Sequence, residues 1–95
     1  MIRHIVMFNA KDPANKDTVF EGLKTLENIK GDWTIEVSQN LKIDQIGNDI
    51  DFVVYCEFPN QDAIERYKSD PIYAEAIRLV RPLRDIRIAA DVEAA

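Results

Sequence analysis

The sequence predicts an α+β domain in the order β-α-β-β-α-β, with the second helix broken, and three observations carry that prediction. The stretch DFVVYCEF places Phe52, Val54, Cys56 and Phe58 on one side at the two-residue period of a strand. Two further segments, one before this strand and one after it, space their apolar residues at helical intervals. Finally, Ser69-Asp70-Pro71 is a cap followed by a proline suited to a first helical turn, so the helix after the strand stops and restarts. A four-stranded antiparallel sheet with both helices on one face, the ferredoxin-like arrangement, satisfies that order.

Met1 to Asn9 alternates, with Ile2, His4, Val6 and Phe8 on one side and Arg3, Ile5 and Met7 on the other. Both sides are largely apolar, as expected of a strand covered twice. Asp12 and Pro13 open the first helix, whose stripe is Val19, Phe20, Leu23, Leu26 and Ile29, with Gly31 as its expected end. Trp33 to Val37 alternates again as the second strand. Leu41 to Asp51 reads as a connection with a turn around Gly47-Asn48. After the Phe52–Phe58 strand, Asn60 caps a short helix that turns Ala63, Ile64 and Tyr67 inward. The second piece carries Ile72, Ala76, Leu79 and Leu83, with Tyr73, Ile77 and Val80 beside them, and Pro82 closes it. Ile86, Ile88, Ala90 and Val92 alternate with Arg87, Ala89 and Asp91 in a last strand, and Glu93-Ala94-Ala95 is expected to be a loose tail.

The side of the sheet away from the helices would carry Ile5, Met7, Val53, Tyr55, Ile86, Ile88 and Ala90. That is a larger apolar patch than a monomer exposes, so the predicted partner is a second copy of the chain, docked through this face. Ninety-five residues make one domain, 1–95. A net charge of -5 argues against nucleic acid as a partner. The first strand is too short to span a membrane, and no cleavage-site pattern follows it. With its single cysteine, Cys56, on an apolar strand face, the chain reads as a cytoplasmic protein.

The opening Arg3 to Phe8, the strand DFVVYCEF, the segment YKSDP from Tyr67 to Pro71, and the ending from Val80 through Asp91 together resemble the stress-responsive dimeric α/β-barrel family. The resemblance covers nearly the whole chain. It implies a ferredoxin-like subunit whose sheet packs on a second subunit's sheet to form a barrel between them. In polyketide cyclases of the olivetolic acid type within that family, a histidine on the first strand, a tyrosine before the helix break and a histidine after it surround a pocket. The first two match His4 and Tyr67. Tyr73 stands where the second histidine would be, and Asn9 replaces the lysine after the first-strand phenylalanine. A tyrosine, with a reference pKa of about 10, is a hydrogen-bond donor or weak acid rather than a base at neutral pH.

The candidate catalytic residues are therefore His4, Tyr67 and Tyr73, with Val6, Phe8, Leu23, Val54 and Arg87 as candidate ligand contacts. Each has a plainer alternative. His4 also fits a core histidine satisfied by a neighbour, and the tyrosines fit helix-facing core with hydroxyls at the rim. Arg78, Arg81, Arg84 and Arg87 recur every three residues, as expected of a solvated face paired with carboxylates. If Arg87 turns inward instead, it favours an anionic ligand. No metal and no cofactor are expected: one histidine and one cysteine make no ligand set, Asp44, Asn48, Asp49 and Asp51 lack the register of a calcium loop, and no helix offers a haem-ligating histidine. Three functions follow: a homodimeric binder of a small apolar or aromatic molecule, a cofactor-free cyclase, isomerase or monooxygenase using His4 as base, or a stress-related structural protein with a vestigial pocket.

Overall fold

The computed structural model describes residues 1–95, and its elements follow the predicted order. They are β1 (Ile2–Phe8), α1 (Lys16–Lys24), β2 (Thr34–Gln39), β3 (Phe52–Phe58), α2 (Gln61–Lys68), α3 (Pro71–Val80) and β4 (Arg87–Glu93). One antiparallel sheet holds the strands in the order β2-β3-β1-β4. Val6 lies opposite Val54 on one side and Ala89 on the other, and Val54 lies opposite Val37. Residues paired across strands share a face, so this register collects the apolar side chains under the helices.

The core is that helix-facing layer. Val6, Phe8, Val37, Phe52, Val54, Cys56 and Phe58 from the strands meet Val19, Leu23, Leu26, Ala63, Tyr67, Ala76 and Val80 from the helical segments. Leu79 is a departure from the expected apolar face of α3, being 37% exposed. The buried stripe of that helix runs through Ala76 and Val80, which leaves Leu79 on the flank beside Gly22.

The caps explain where the helices begin. Asp12 Oδ1 accepts a hydrogen bond from the Ala14 N–H at 2.9 Å, Asn60 Oδ1 from Ala63 at 3.0 Å, and Asp70 Oδ1 from Ile72 at 2.9 Å. Each satisfies an N–H that the first helical turn leaves without a partner. The break between α2 and α3 falls at Ser69-Asp70, where the Ser69 hydroxyl donates to Glu65 O at 2.7 Å.

The first helix differs from expectation in its ends. It is an α-helix between two 3-10 turns, Pro13–Asn15 and Thr25–Asn28, and it finishes before Gly31. Thr25 Oγ1 donates to Gly22 O at 2.7 Å within the tightened last turn, and the Glu27 carboxylate accepts from the Val37 N–H at 2.9 Å, tying that turn to β2. Gly31 has a different task. The Trp33 ring lies against it, so that a Cβ there would come within 2.3 Å of the indole, and the indole N–H donates to Ile29 O at 3.1 Å.

The connection from β2 to β3 turns earlier than expected. Asp44 Oδ2 accepts from the N–H groups of Ile46 and Gly47 at 3.0 and 2.9 Å, which centres the turn on Gln45-Ile46 rather than Gly47-Asn48. Asp51, at the end of this connection, is buried. It accepts from the Ala10 N–H at 2.8 Å and pairs with Lys42 at 2.7 Å and Lys16 at 3.5 Å. Burial by itself would raise its carboxyl, but the hydrogen bonds from Lys42 and Ala10 and the two ammonium charges bring it below the usual carboxylate range.

The last strand also runs further than expected. β4 reaches Glu93, and the Ala94 N–H donates to Met1 O at 2.9 Å, because the ladder with β1 continues to its end. Asn9 Oδ1 anchors the approach to β4, accepting from the N–H groups of Asp85 and Ile86 at 2.9 and 2.8 Å. The whole molecule is a slab of 35 × 31 × 16 Å. Helices cover one side of the sheet; the other carries no helix, is bordered by Gly47 to Ile50 of the β2–β3 connection beside Met7, Val53 and Ile88, and leaves Met7, Ile88 and Val92 exposed.

Candidate functional site

The residues singled out from the sequence converge. His4, Val6, Phe8, Leu23, Val54, Tyr67, Tyr73 and Arg87 all line one cavity between the sheet and the helices, completed by Leu26, Ala76, Ile77, Val80, Arg81 and Arg84. The register places His4, Val6 and Phe8 of β1 beside Val54 of β3 on its floor. The kink between α2 and α3 sets Tyr67 against Tyr73, with ring centroids 5.2 Å apart and edge to face. The enclosed room is about 20 Å³, enough for one water molecule. A larger occupant requires a side chain at the mouth to swing aside.

His4 is buried, and its Nδ1 lies 2.5 Å from Asp91 Oδ1, across the β1–β4 ladder. A carboxylate oxygen facing a ring nitrogen accepts, so Nδ1 is the donor of this bond and Nε2 is left outside it. That nitrogen has no partner within the chain. The carboxylate thus fixes the orientation of a histidine that lines the cavity. Asp91 itself escaped the sequence reading, which saw in it only the polar alternation of a last strand. The signal that finds it is register: once β4 is laid antiparallel on β1, His4 and Asp91 are cross-strand neighbours.

The other polar tips differ in kind. Burial, with the Cys56 thiol and the Tyr73 hydroxyl beside it, pushes the Tyr67 phenol far above its ordinary value. Tyr67 is therefore a neutral hydrogen-bond donor at any physiological pH. Burial likewise pushes the Cys56 thiol up to about 12, which removes it as a nucleophile. Tyr67 packs on Phe58 at 5.2 Å and on His4 at 6.4 Å between centroids, so the polar tips are held by an aromatic cluster that also includes Trp33.

The arginines meet expectation in part, since Arg78, Arg81 and Arg87 are exposed and Arg84 is half-buried. Arg78 does pair with a carboxylate, Glu75 Oε1, at 2.5 Å. Arg81, Arg84 and Arg87 form no ion pair and no side-chain hydrogen bond, and all three stand at the cavity. The reason is the ending of α3: the 3-10 turn Arg81–Leu83 shifts the helical spacing, and Arg87 then falls on the helix-facing side of β4, opposite Phe8. No three His, Cys, Asp or Glu side chains come together as a metal-holding group. No helix is long and apolar enough to cross a membrane.

Comparison with known proteins extends these observations. The family model described as "Stress responsive A/B Barrel Domain" matches residues 2–94. No curated protein matches the chain. Among solved structures, a dimeric ferredoxin-like protein of unknown function from Thermobifida fusca is 22% identical with a TM-score of 0.81, covering 98% of this chain and 90% of that one. A protein of the same family from Mesorhizobium loti is 24% identical with a TM-score of 0.77, covering 99% and 96%. A candidate antibiotic biosynthesis monooxygenase from Deinococcus radiodurans is 15% identical with a TM-score of 0.82, covering 100% and 93%. At such identities the likeness is one of fold.

Proposed function

The chain belongs to the stress-responsive A/B barrel family, and from that premise we propose that residues 1–95 form a single domain that works as a cytoplasmic homodimer and binds a small apolar or aromatic molecule between sheet and helices. The observation that carries the binding reading is that the residues expected to line a pocket border one largely apolar cavity, with His4, Tyr67 and Tyr73 among its polar tips. The dimer reading draws support from the uncovered apolar side of the sheet and from the dimeric description of the similar Thermobifida fusca protein. A reducing compartment suits a lone thiol held buried and protonated.

Two measurements test this together. Sedimentation at micromolar concentration reads the assembly, with a monomer counting against it. Thermal shift against a panel of aromatic acids and phenols reads the pocket, with concentration-dependent stabilisation expected. A panel without response, beside a ligand-free crystal structure whose cavity is closed, returns the protein to a structural role.

The His4–Asp91 contact favours one second reading, proton transfer without a cofactor. In it His4 Nε2 takes a proton from the bound molecule, Asp91 holds the ring, and neutral Tyr67 donates to the developing oxyanion. His4→Ala would then keep the fold and the stabilisation by ligand while turnover disappears. Absence of turnover in the unaltered protein, with a ligand known to bind, ends that reading.

A further inference from the structure

In a chain with 17 carboxylates and 12 lysines and arginines, a cationic cluster with no acidic partner calls for a physical reason. Arg81, Arg84 and Arg87 line both the enclosed cavity and the open recess outside it, and Lys68 joins them in the recess. No Asp or Glu lines either space. Elsewhere Lys16, Lys24, Lys42, Arg66 and Arg78 form ion pairs, while Arg3, Lys11 and Lys30 stand apart from one another without one. Arg84 is the most constrained of the group: half-buried, with Arg87 and Arg81 as its charged neighbours, its guanidinium is held below the usual arginine range by burial and by those two like charges. Arg81 and Arg87 are exposed, so the cost to the fold taken alone falls on Arg84, partly dehydrated between two like charges. The grouping becomes favourable when an anion sits between the three.

We propose that Arg81, Arg84 and Arg87, with Lys68 beside them, form an oxyanion-binding mouth to the cavity, and that its ligand is a small organic acid whose carboxylate rests among the guanidinium groups while its apolar body points inward past Tyr73 and Ile77. The proposal rests on the reading of the cavity as a ligand pocket and adds its chemical class. A carboxylate fits the forked donors of arginine with two parallel hydrogen bonds. Behind the mouth the lining is apolar, and once a side chain there swings aside it suits an acid with an aromatic or aliphatic body better than a free inorganic anion.

The test uses naphthalene-2-carboxylate and its uncharged isostere naphthalene-2-carboxamide, followed by NMR at the arginine Nε–H signals and at the methyl signals of Leu23 and Val54. The acid is expected to move both sets and to bind about ten- to a hundredfold more tightly than the amide. Arg84→Met, which keeps the apolar stem, should lose that factor for the acid and nothing for the amide, and its ligand-free melting temperature should not fall. If acid and amide bind equally, the pocket reading stands and the oxyanion mouth falls. If the acid moves only the arginine signals, the mouth stands without the pocket. If inorganic phosphate at matched ionic strength competes as well as the acid, the assignment to an organic acid is overturned. If no signal moves with any probe, both readings fall.

Discussion

On the helix-facing side of the sheet, His4, Val6 and Phe8 of β1 are no more than 4% exposed, whereas on the opposite side Met7 of the same strand is 37% exposed and Ile88 of β4 reaches 57%. Both sides are apolar in sequence, because strict alternation writes two surfaces at once. One is completed by the chain's own helices. The other has no helical layer over it, only the β2–β3 connection along part of its edge, since a domain of this size holds two layers around one core. The contrast teaches that an apolar pattern states that a surface is to be covered, and leaves open by what.

The largest effect is expected from breaking the covered side. Phe58 is fully buried and packs on Tyr67, Trp33 and His4. Phe58→Ala should cost about 3–5 kcal/mol, a large share of the roughly 5–15 kcal/mol by which a domain is stable. Urea unfolding followed by Trp33 fluorescence measures it, and a loss below about 1 kcal/mol would mean that the cluster is not the core. The uncovered side should answer differently. Met7→Glu or Ile88→Glu is expected to leave the helical circular dichroism intact while weakening self-association about a hundredfold or more, read by sedimentation equilibrium. Equal loss of helical signal would place these residues in the fold of the single chain instead.

The smallest effect lies at the seam beside the layers, at Asp51. Its folded-state carboxyl is depressed, so the stability it contributes is present above the unfolded value near pH 4 and is lost as pH falls through the folded value. Asp51→Asn should cost about 1–3 kcal/mol at pH 7, and the gap to the unaltered protein should narrow in unfolding curves taken below about pH 4. A gap independent of pH would show that the carboxylate charge is not what Ala10, Lys16 and Lys42 respond to.

Much of the fold was legible because its cues are local. Alternation gave β1 and β3, while Asn60, Asp70 and Pro71 announced the divided helix through side chains that bond within three residues. The misjudged features depend on distant groups. Gly31 reads as a helix stop until the Trp33 ring is seen lying on it, and the tail reads as loose until Ala94 is seen bonded to Met1. The site divides the same way. His4, Tyr67 and Tyr73 could be chosen by residue type and by resemblance. Asp91 could not, because its meaning comes from pairing with a residue 87 positions away. The unpaired state of Arg81, Arg84 and Arg87 was also hidden, since a count of carboxylates in the sequence says nothing about where they are absent.

The central position of β1 bears on how the protein is made. Its two neighbours in the sheet, β3 and β4, are both translated after it. At roughly 5–20 residues per second, the approximately 80 residues between β1 and β4 occupy a ribosome for about 4–16 s. During that interval Ile2–Phe8, apolar on both sides, is a nascent segment with an incomplete sheet. Sequences grafted after Phe58 would lengthen its wait, and the yield of folded protein should track that delay more closely than the stability of the finished sheet.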